Sequence, residues 1–193
     1  MQARALVVSL LLFLPGRLLA QDTPTPFRAG QWAALFTGGA SFTSLGVLKF
    51  RSPTSALWLD LRVSGGHHED FASDTVTGIS SQVSIDLRLG RRVYRAVAAK
   101  VVAQHSLGFQ VGVDHFVQAS PFLGTATSNG WAAGPFVELG GVYLITSHFG
   151  IGATGTASIT YSRSWGESFG GTKISSWSLG GNTGIFFTAT LFF

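Results

Sequence analysis

Between Phe149 and Tyr161 apolar and small polar residues alternate without a break. Phe149, Ile151, Ala153, Gly155, Ala157, Ile159 and Tyr161 share one parity, and Gly150, Gly152, Thr154, Thr156, Ser158 and Thr160 share the other. A period of two is the signature of a strand with unlike faces, because successive side chains leave a strand on opposite sides. The pattern recurs at Leu57, Leu59, Leu61 and Val63 against Trp58, Asp60 and Arg62, and at Val83, Ile85, Leu87 and Leu89 against Ser84, Asp86 and Arg88. It recurs again at Val137, Leu139, Gly141 and Tyr143 against Glu138, Gly140 and Val142, and over the last ten residues. Eight strands are predicted: Gln31–Thr37, Ser44–Arg51, Ser55–Ser64, Ser80–Arg92, Lys100–Asp114, Trp131–Ile145, Phe149–Arg163 and Ser176–Phe193. Alternation in the first two is blurred, and the pattern does not say which way Lys49 points.

The connections alternate in length. Short turns are expected at Ser52–Thr54, Val93–Ala99 and Thr146–His148, and longer polar, glycine-rich loops at Gly65–Ile79, His115–Gly130 and Ser164–Ile174. Short turns on one side and long loops on the other describe an antiparallel up-and-down transmembrane β-barrel with periplasmic turns and extracellular loops. An even strand number puts both chain ends with the short turns.

The start of the chain breaks the alternation. Met1–Arg4 is short and basic, Ala5–Leu14 is apolar, Pro15-Gly16 interrupts it, and Leu18-Leu19-Ala20 precedes Gln21. This order is that of a cleaved secretory signal peptide at residues 1–20; the apolar run is far short of the ~20 residues that cross a bilayer as a helix. Residues 21–30, with Pro24 and Pro26, are expected to form an exposed leader, and residues 31–193 the barrel.

Composition decides what kind of barrel this is. Only 11% of the 193 residues are charged while 46% are hydrophobic; a soluble domain carries about 25% charged residues. A soluble lipocalin-like barrel also alternates, but its polar face meets water and carries Lys and Glu. Here that face is mostly Gly, Ser and Thr. Several strands also run to the ~9–11 residues of a tilted membrane strand, and aromatics gather at the ends of the apolar runs: Tyr143, Phe149 and Phe193 at one edge, Trp131, Tyr161 and Trp177 at the other. A closed barrel is the one sheet that satisfies its backbone in lipid. The absence of cysteine excludes lipoprotein attachment and thiolate zinc sites. Without Arg4 and Arg17 the charge falls from +4 to +2, with no basic run, so nucleic acid is not an expected partner.

With these strands and this ending the chain resembles the small eight-stranded outer-membrane barrels of the OmpA membrane-domain and OmpX type. The final strand places Phe187, Ala189, Leu191 and Phe193 on one face, similar to the C-terminal signal read by the barrel-assembly machinery, with Leu191 where that signal often has Tyr. The resemblance implies outer-membrane lipid and the assembly machinery as partners, and no cofactor.

The inward set predicted by parity is Asp60, Arg62, Asp86, Arg88, Lys100, Asp114 and Glu138. Charges held away from water must pair. One register across the third and fourth strands sets Asp60 opposite Arg88 and Arg62 opposite Asp86, which favours that register. Such an interior reads as a polar plug, and alternatively as a narrow gated ion path; Trp58 and Phe136 favour the plug. His67-His68-Glu69-Asp70 has metal-ligand residue types but falls in an expected solvated loop. His105-Ser106 with Glu138 invites comparison with a lipid A-modifying hydrolase; parity sends His105 to the lipid and Ser106 inside, so they do not form a catalytic set. Arg91, Arg92 and Arg95 are expected by a periplasmic turn, facing water or lipid head groups. Neither a metal site nor a catalytic site is assigned. Any surface ligand would meet the outer loops, where Phe116, Phe122, Trp165 and Phe169 are the candidate contacts.

Overall fold

The computed structural model describes residues 26–40, 42–72 and 75–193; the expected signal peptide and most of the leader lie outside them. Eight antiparallel strands follow in chain order: β1 Trp32–Gly38, β2 Phe42–Ser52, β3 Ser55–Ala72, β4 Thr75–Ala98, β5 Val101–Ser120, β6 Gly124–Leu144, β7 Phe149–Glu167 and β8 Lys173–Phe192. Each pairs with its neighbour and β1 pairs with β8, so the sheet closes into a barrel. Eight strands enclose a space about as wide as the side chains that fill it.

Parity sorts the faces as the alternation predicts. Leu57, Leu59, Leu61, Val63, Val83, Ile85, Leu87, Leu89, Leu107, Val111, Val137 and Leu139 are exposed around the barrel. Trp58, Asp60, Arg88, Ser106, Phe136 and Glu138 are buried inside it. A soluble protein does not leave an apolar belt of this extent bare. In a bilayer the belt faces hydrocarbon, and every paired backbone group is satisfied by the ladder. On the outer surface Trp131, Tyr161 and Trp177 form a continuous ring contact, with centroids 5.5 and 6.4 Å apart. This is one girdle of the belt. Lys49, whose direction the sequence leaves open, points outward, with its ammonium 4.8 Å from the Trp32 ring centroid.

Three expectations change. The segments expected as long polar loops are mostly paired strand: β3 and β4 approach each other across 73–74, β5 and β6 across 121–123, β7 and β8 across 168–172. The chain there still pairs in register, Asp70 with Gly78, Val117 with Thr127 and Gly166 with Ile174. The expected turn Val93–Ala99 shrinks to Ala99-Lys100, because β4 continues to Ala98. Lys100 therefore sits exposed in that turn rather than inside, where its ammonium reaches water without desolvation. Phe27, placed in the exposed leader by its prolines, is instead buried. It closes the end of the barrel where β1 begins and β8 ends, with ring centroids 4.6 Å from Phe50, 4.9 Å from Tyr94 and 5.1 Å from Phe192.

The walls are unequal in height. β1 has 7 residues and β2 has 11, whereas β3 to β8 have 18 to 24. β1 joins β8 from Phe192 only as far as Phe187, and β2 joins β3 only as far as Ser64. Beyond those points β3 to β8 continue as a six-stranded sheet that, among the described residues, is unpaired on the β1–β2 side.

Candidate functional site

The lumen is built in layers. Lowest is the aromatic cap of Phe27, Phe50, Tyr94 and Phe192, backed by Leu48, Val102, Val142 and Leu144. Above it lies a charged layer centred on Glu138 of β6. Arg88 of β4 places Nη1 2.8 Å from Oε1, and Arg92 of the same strand donates from Nη2 to Oε2 at 2.8 Å. Arg92 Nε donates to Ser106 Oγ at 2.9 Å, and Gln104 Nε2 to Thr154 Oγ1 at 2.8 Å. Arg88, Arg92 and Glu138 are all but inaccessible to solvent. Trp58 and Phe136 meet edge-on at 5.6 Å, and the Arg88 guanidinium lies 4.0 Å from the Phe136 ring centroid.

Local sequence explains the placement. Arg88 and Arg92 are four apart on one strand, so both project inward on the same parity. Ser106 pairs with Arg92 across β4–β5 and with Glu138 across β5–β6. The small Ser106 side chain leaves the space through which Arg92 reaches Glu138. The predicted register is present, with Asp60 opposite Arg88 and Arg62 opposite Asp86. The close ion pairs nevertheless run elsewhere: both arginines of the charged layer choose Glu138. Arg92, expected at the rim, is the member of this layer that sequence reasoning misses. Its parity with Ser84, Asp86 and Arg88 is the available signal.

Over the charged layer Arg62 stacks on Phe42 at 3.7 Å and lies 5.4 Å from Phe186. Arg62 Nε and Nη2 and Arg88 Nε are buried without a hydrogen-bond partner. Arg62 and Arg88 also line a cavity of about 430 Å³, together with Asp86, Gln110, Thr156, Ser158 and Asn182. Asp114 faces inward higher up, beside Gly130. Across all layers, three arginines (62, 88, 92) face four acids (60, 86, 114, 138), close to balance. From the cavity outward β8 is exposed on both faces. The lumen is thus a cup, open at the outer end and closed at the end where β1 begins and β8 ends.

The remaining candidates separate. His105 is exposed on the lipid face while Ser106 is buried under Arg92, so Ser106, His105 and Glu138 do not converge. His67 contacts Ser81 at 2.9 Å and Glu69 at 3.3 Å on the outside of β3, whereas His68 contacts Asp70 at 3.2 Å on the other parity. Among the described residues no three potential ligands gather at one point. Of the candidate surface aromatics, Phe122 and Trp165 are exposed, and Phe116 and Phe169 are half-buried.

An apolar outer belt around a closed, charge-filled eight-stranded barrel is the architecture of the outer-membrane β-barrels. Comparison of structures agrees on the fold. The chain is similar to a major outer membrane protein of Thermus thermophilus, with a TM-score of 0.53 at 12% identity, over 84% of this chain and 99% of that one. It is also similar to CarO of Acinetobacter baumannii (TM-score 0.45, 9% identity, 89% and 100% covered). The outer membrane protease OmpT of Escherichia coli follows with TM-score 0.43 and 11% identity, over 90% and 99% of the two chains. No protein-family model and no curated protein sequence matches the chain.

Proposed function

We propose that the protein is a plugged outer-membrane barrel that acts through its outer sheet and its membrane contacts, and neither conducts solutes through the lumen nor catalyses a reaction. The observation that carries this reading is the sealed lower half. An ion crossing it would have to part both arginines from Glu138 and then displace four aromatic rings. The separation of His105 from Ser106, and the engagement of both Glu138 oxygens by arginine, support the non-enzymatic part of the reading. The bacterial outer membrane as location, reached through a cleaved signal peptide at 1–20, belongs to the same proposal.

Three partners follow. Lipid surrounds the apolar belt, and Lys49, Arg51, Arg91 and Arg95 lie on the outside of the closed end, where phosphate head groups of the periplasmic leaflet complement them. Phe187, Ala189, Leu191 and Phe193 are the signal offered to the assembly machinery; all four lie on the lipid side of β8, away from the lumen. The outer ends of β3 to β8, with Phe122 and Trp165 exposed, are the surface for an external ligand.

Planar-bilayer recording checks the plug. The wild-type barrel is expected to be silent, and so is Arg88→Ala, because the aromatic cap remains beneath it. A steady wild-type conductance would favour the channel reading. Release of fatty acid from lipid A by the purified protein would overturn the non-enzymatic one.

A further inference from the structure

The cavity above Arg62 opens sideways as well as outward. Its lining includes Asn182, Gly184 and Phe186 from the inner face of β8 and also Thr183 and Ile185 from the outer face. A lining drawn from both faces of β8 fits a cavity that reaches that strand's free edge. Lys173–Phe186 has that free edge, because β1 ends opposite Phe187. Ala40, at the tip of the β1–β2 hairpin, forms the sill. Opposite, β3 is unpaired from Gly65 outward on its β2 side, and β3 does not pair with β8.

This notch lies at hydrocarbon depth. Trp177 belongs to the outer girdle and Phe187 faces lipid beside the end of β1, so Leu179, Ile185 and the free edge between them lie within the belt. The seven residues of β1 rise about 18 Å along a tilted barrel wall, short of the ~25 Å apolar band. Open strand edges are tolerated at such depth only where they border a wet cavity or an occupant. Two strands are missing above the sill, leaving backbones about 14 Å apart across three strand spacings. That gap admits an acyl chain.

We infer that the notch and the cup form one binding site for an anionic, single-chain amphiphile drawn from the surrounding membrane. Its head sits in the cup on Arg62 and its chain leaves over Ala40 into the lipid. The inference rests on the membrane-barrel reading above. Arg62, Arg88 and Asp86 line the cavity; Arg88 is held by Glu138, so Arg62 is the cation offered to a head group. A carboxylate or phosphate supplies acceptors of matching geometry. Phe42 and Phe186 hold the Arg62 plane in place, so little side-chain freedom is lost on binding. An inorganic anion would use the arginines and leave the notch unexplained; a neutral lipid would do the reverse.

The test uses refolded full-length protein in neutral phosphatidylcholine nanodiscs, with palmitate as probe and native mass spectrometry as readout. Palmitoyl alcohol and inorganic phosphate are the comparison ligands. Gly184→Leu narrows the cavity. A Cβ at 184 has ordinary room, its nearest neighbour being Thr156 Cγ2 at 3.8 Å. Arg62→Gln removes the cation but keeps a similar volume. Palmitate is expected to bind wild type at least tenfold more tightly than either variant and tenfold more tightly than the alcohol, with no retention of phosphate alone. Equal palmitate binding by wild type and Gly184→Leu would mean adsorption to the belt and overturn the site. Retention of phosphate as strong as palmitate would overturn the role of the notch. A dimer joined through β8 that excludes palmitate would also overturn it. Heat-modifiable gel mobility is recorded for each sample: a properly inserted barrel that binds nothing refutes this inference alone, whereas failure to insert refutes the membrane-barrel reading beneath it.

Discussion

Replacing Glu138 with Ala is expected to destabilise the folded barrel by about 3–5 kcal/mol, the cost of leaving a buried charge without its partner. Glu138 is paired with both Arg88 and Arg92 at 2.8 Å, and among the described residues no other carboxylate forms a close ion pair with either. Its loss strands two cations whose side chains are all but inaccessible to solvent. Glu138→Gln retains one acceptor and is expected to fall between wild type and Ala. Substituting all three members by apolar residues of similar volume should recover much of the loss, because the desolvation penalty disappears together with the attraction. Urea unfolding in phospholipid bilayers, followed by gel mobility, measures each difference. A cost below about 1 kcal/mol for Ala, the range of a screened surface pair, would mean that water reaches this layer and that the plug is not sealed.

The second large effect concerns the opposite face. Leu59 lies on the outside of β3 in the middle of the apolar run from Leu57 to Val63. Leu59→Arg is expected to cost about 2–4 kcal/mol in a bilayer, the depth-dependent penalty for a cation at the midplane. Val97→Arg, exposed at the closed end two residues beyond Arg95, should cost no more than about 1 kcal/mol. The difference between the two positions carries the information. Equal small costs would mean that the belt faces water.

Much of this arrangement is legible in the chain. Facing follows from parity alone, since a strand has no other way to direct its side chains: Asp60, Arg62, Asp86, Arg88, Asp114 and Glu138 share the inward parity of their strands, and Lys100 of the same set falls in a turn. The β3–β4 register is legible because charge pairing favours one alignment of Asp60-Leu61-Arg62 against Asp86-Leu87-Arg88. The partner of Arg88 is not, because Glu138 arrives from β6 and its approach depends on two further registers and on the smallness of Ser106. Arg92 escapes notice because a cluster of three arginines resembles a solvated rim, although its parity says otherwise. The outer strands resemble loops because Ser, Gly and Thr are turn formers, and their pairing is settled by the neighbouring strand rather than by propensity. Phe27 follows two prolines and so resembles leader; only the space between Phe50, Tyr94 and Phe192 gives that ring a place. The notch depends on where β1 stops, in the segment whose alternation is weakest.

A lipid-facing belt surrounds a cup that is wet above and sealed below. A nitroxide scan along β7 from Ile151 to Tyr161 in proteoliposomes tests both parts at once, and the chain has no native cysteine to interfere. Oxygen collisions should peak at Ile151, Ala153, Ala157, Ile159 and Tyr161. Collisions with a water-soluble relaxation agent should be high at Thr160 and Ser158, fall at Thr156 and vanish at Thr154, which is buried beneath the cavity. Aqueous collisions at the odd positions would contradict the membrane belt, and free aqueous access at Thr154 would contradict the seal.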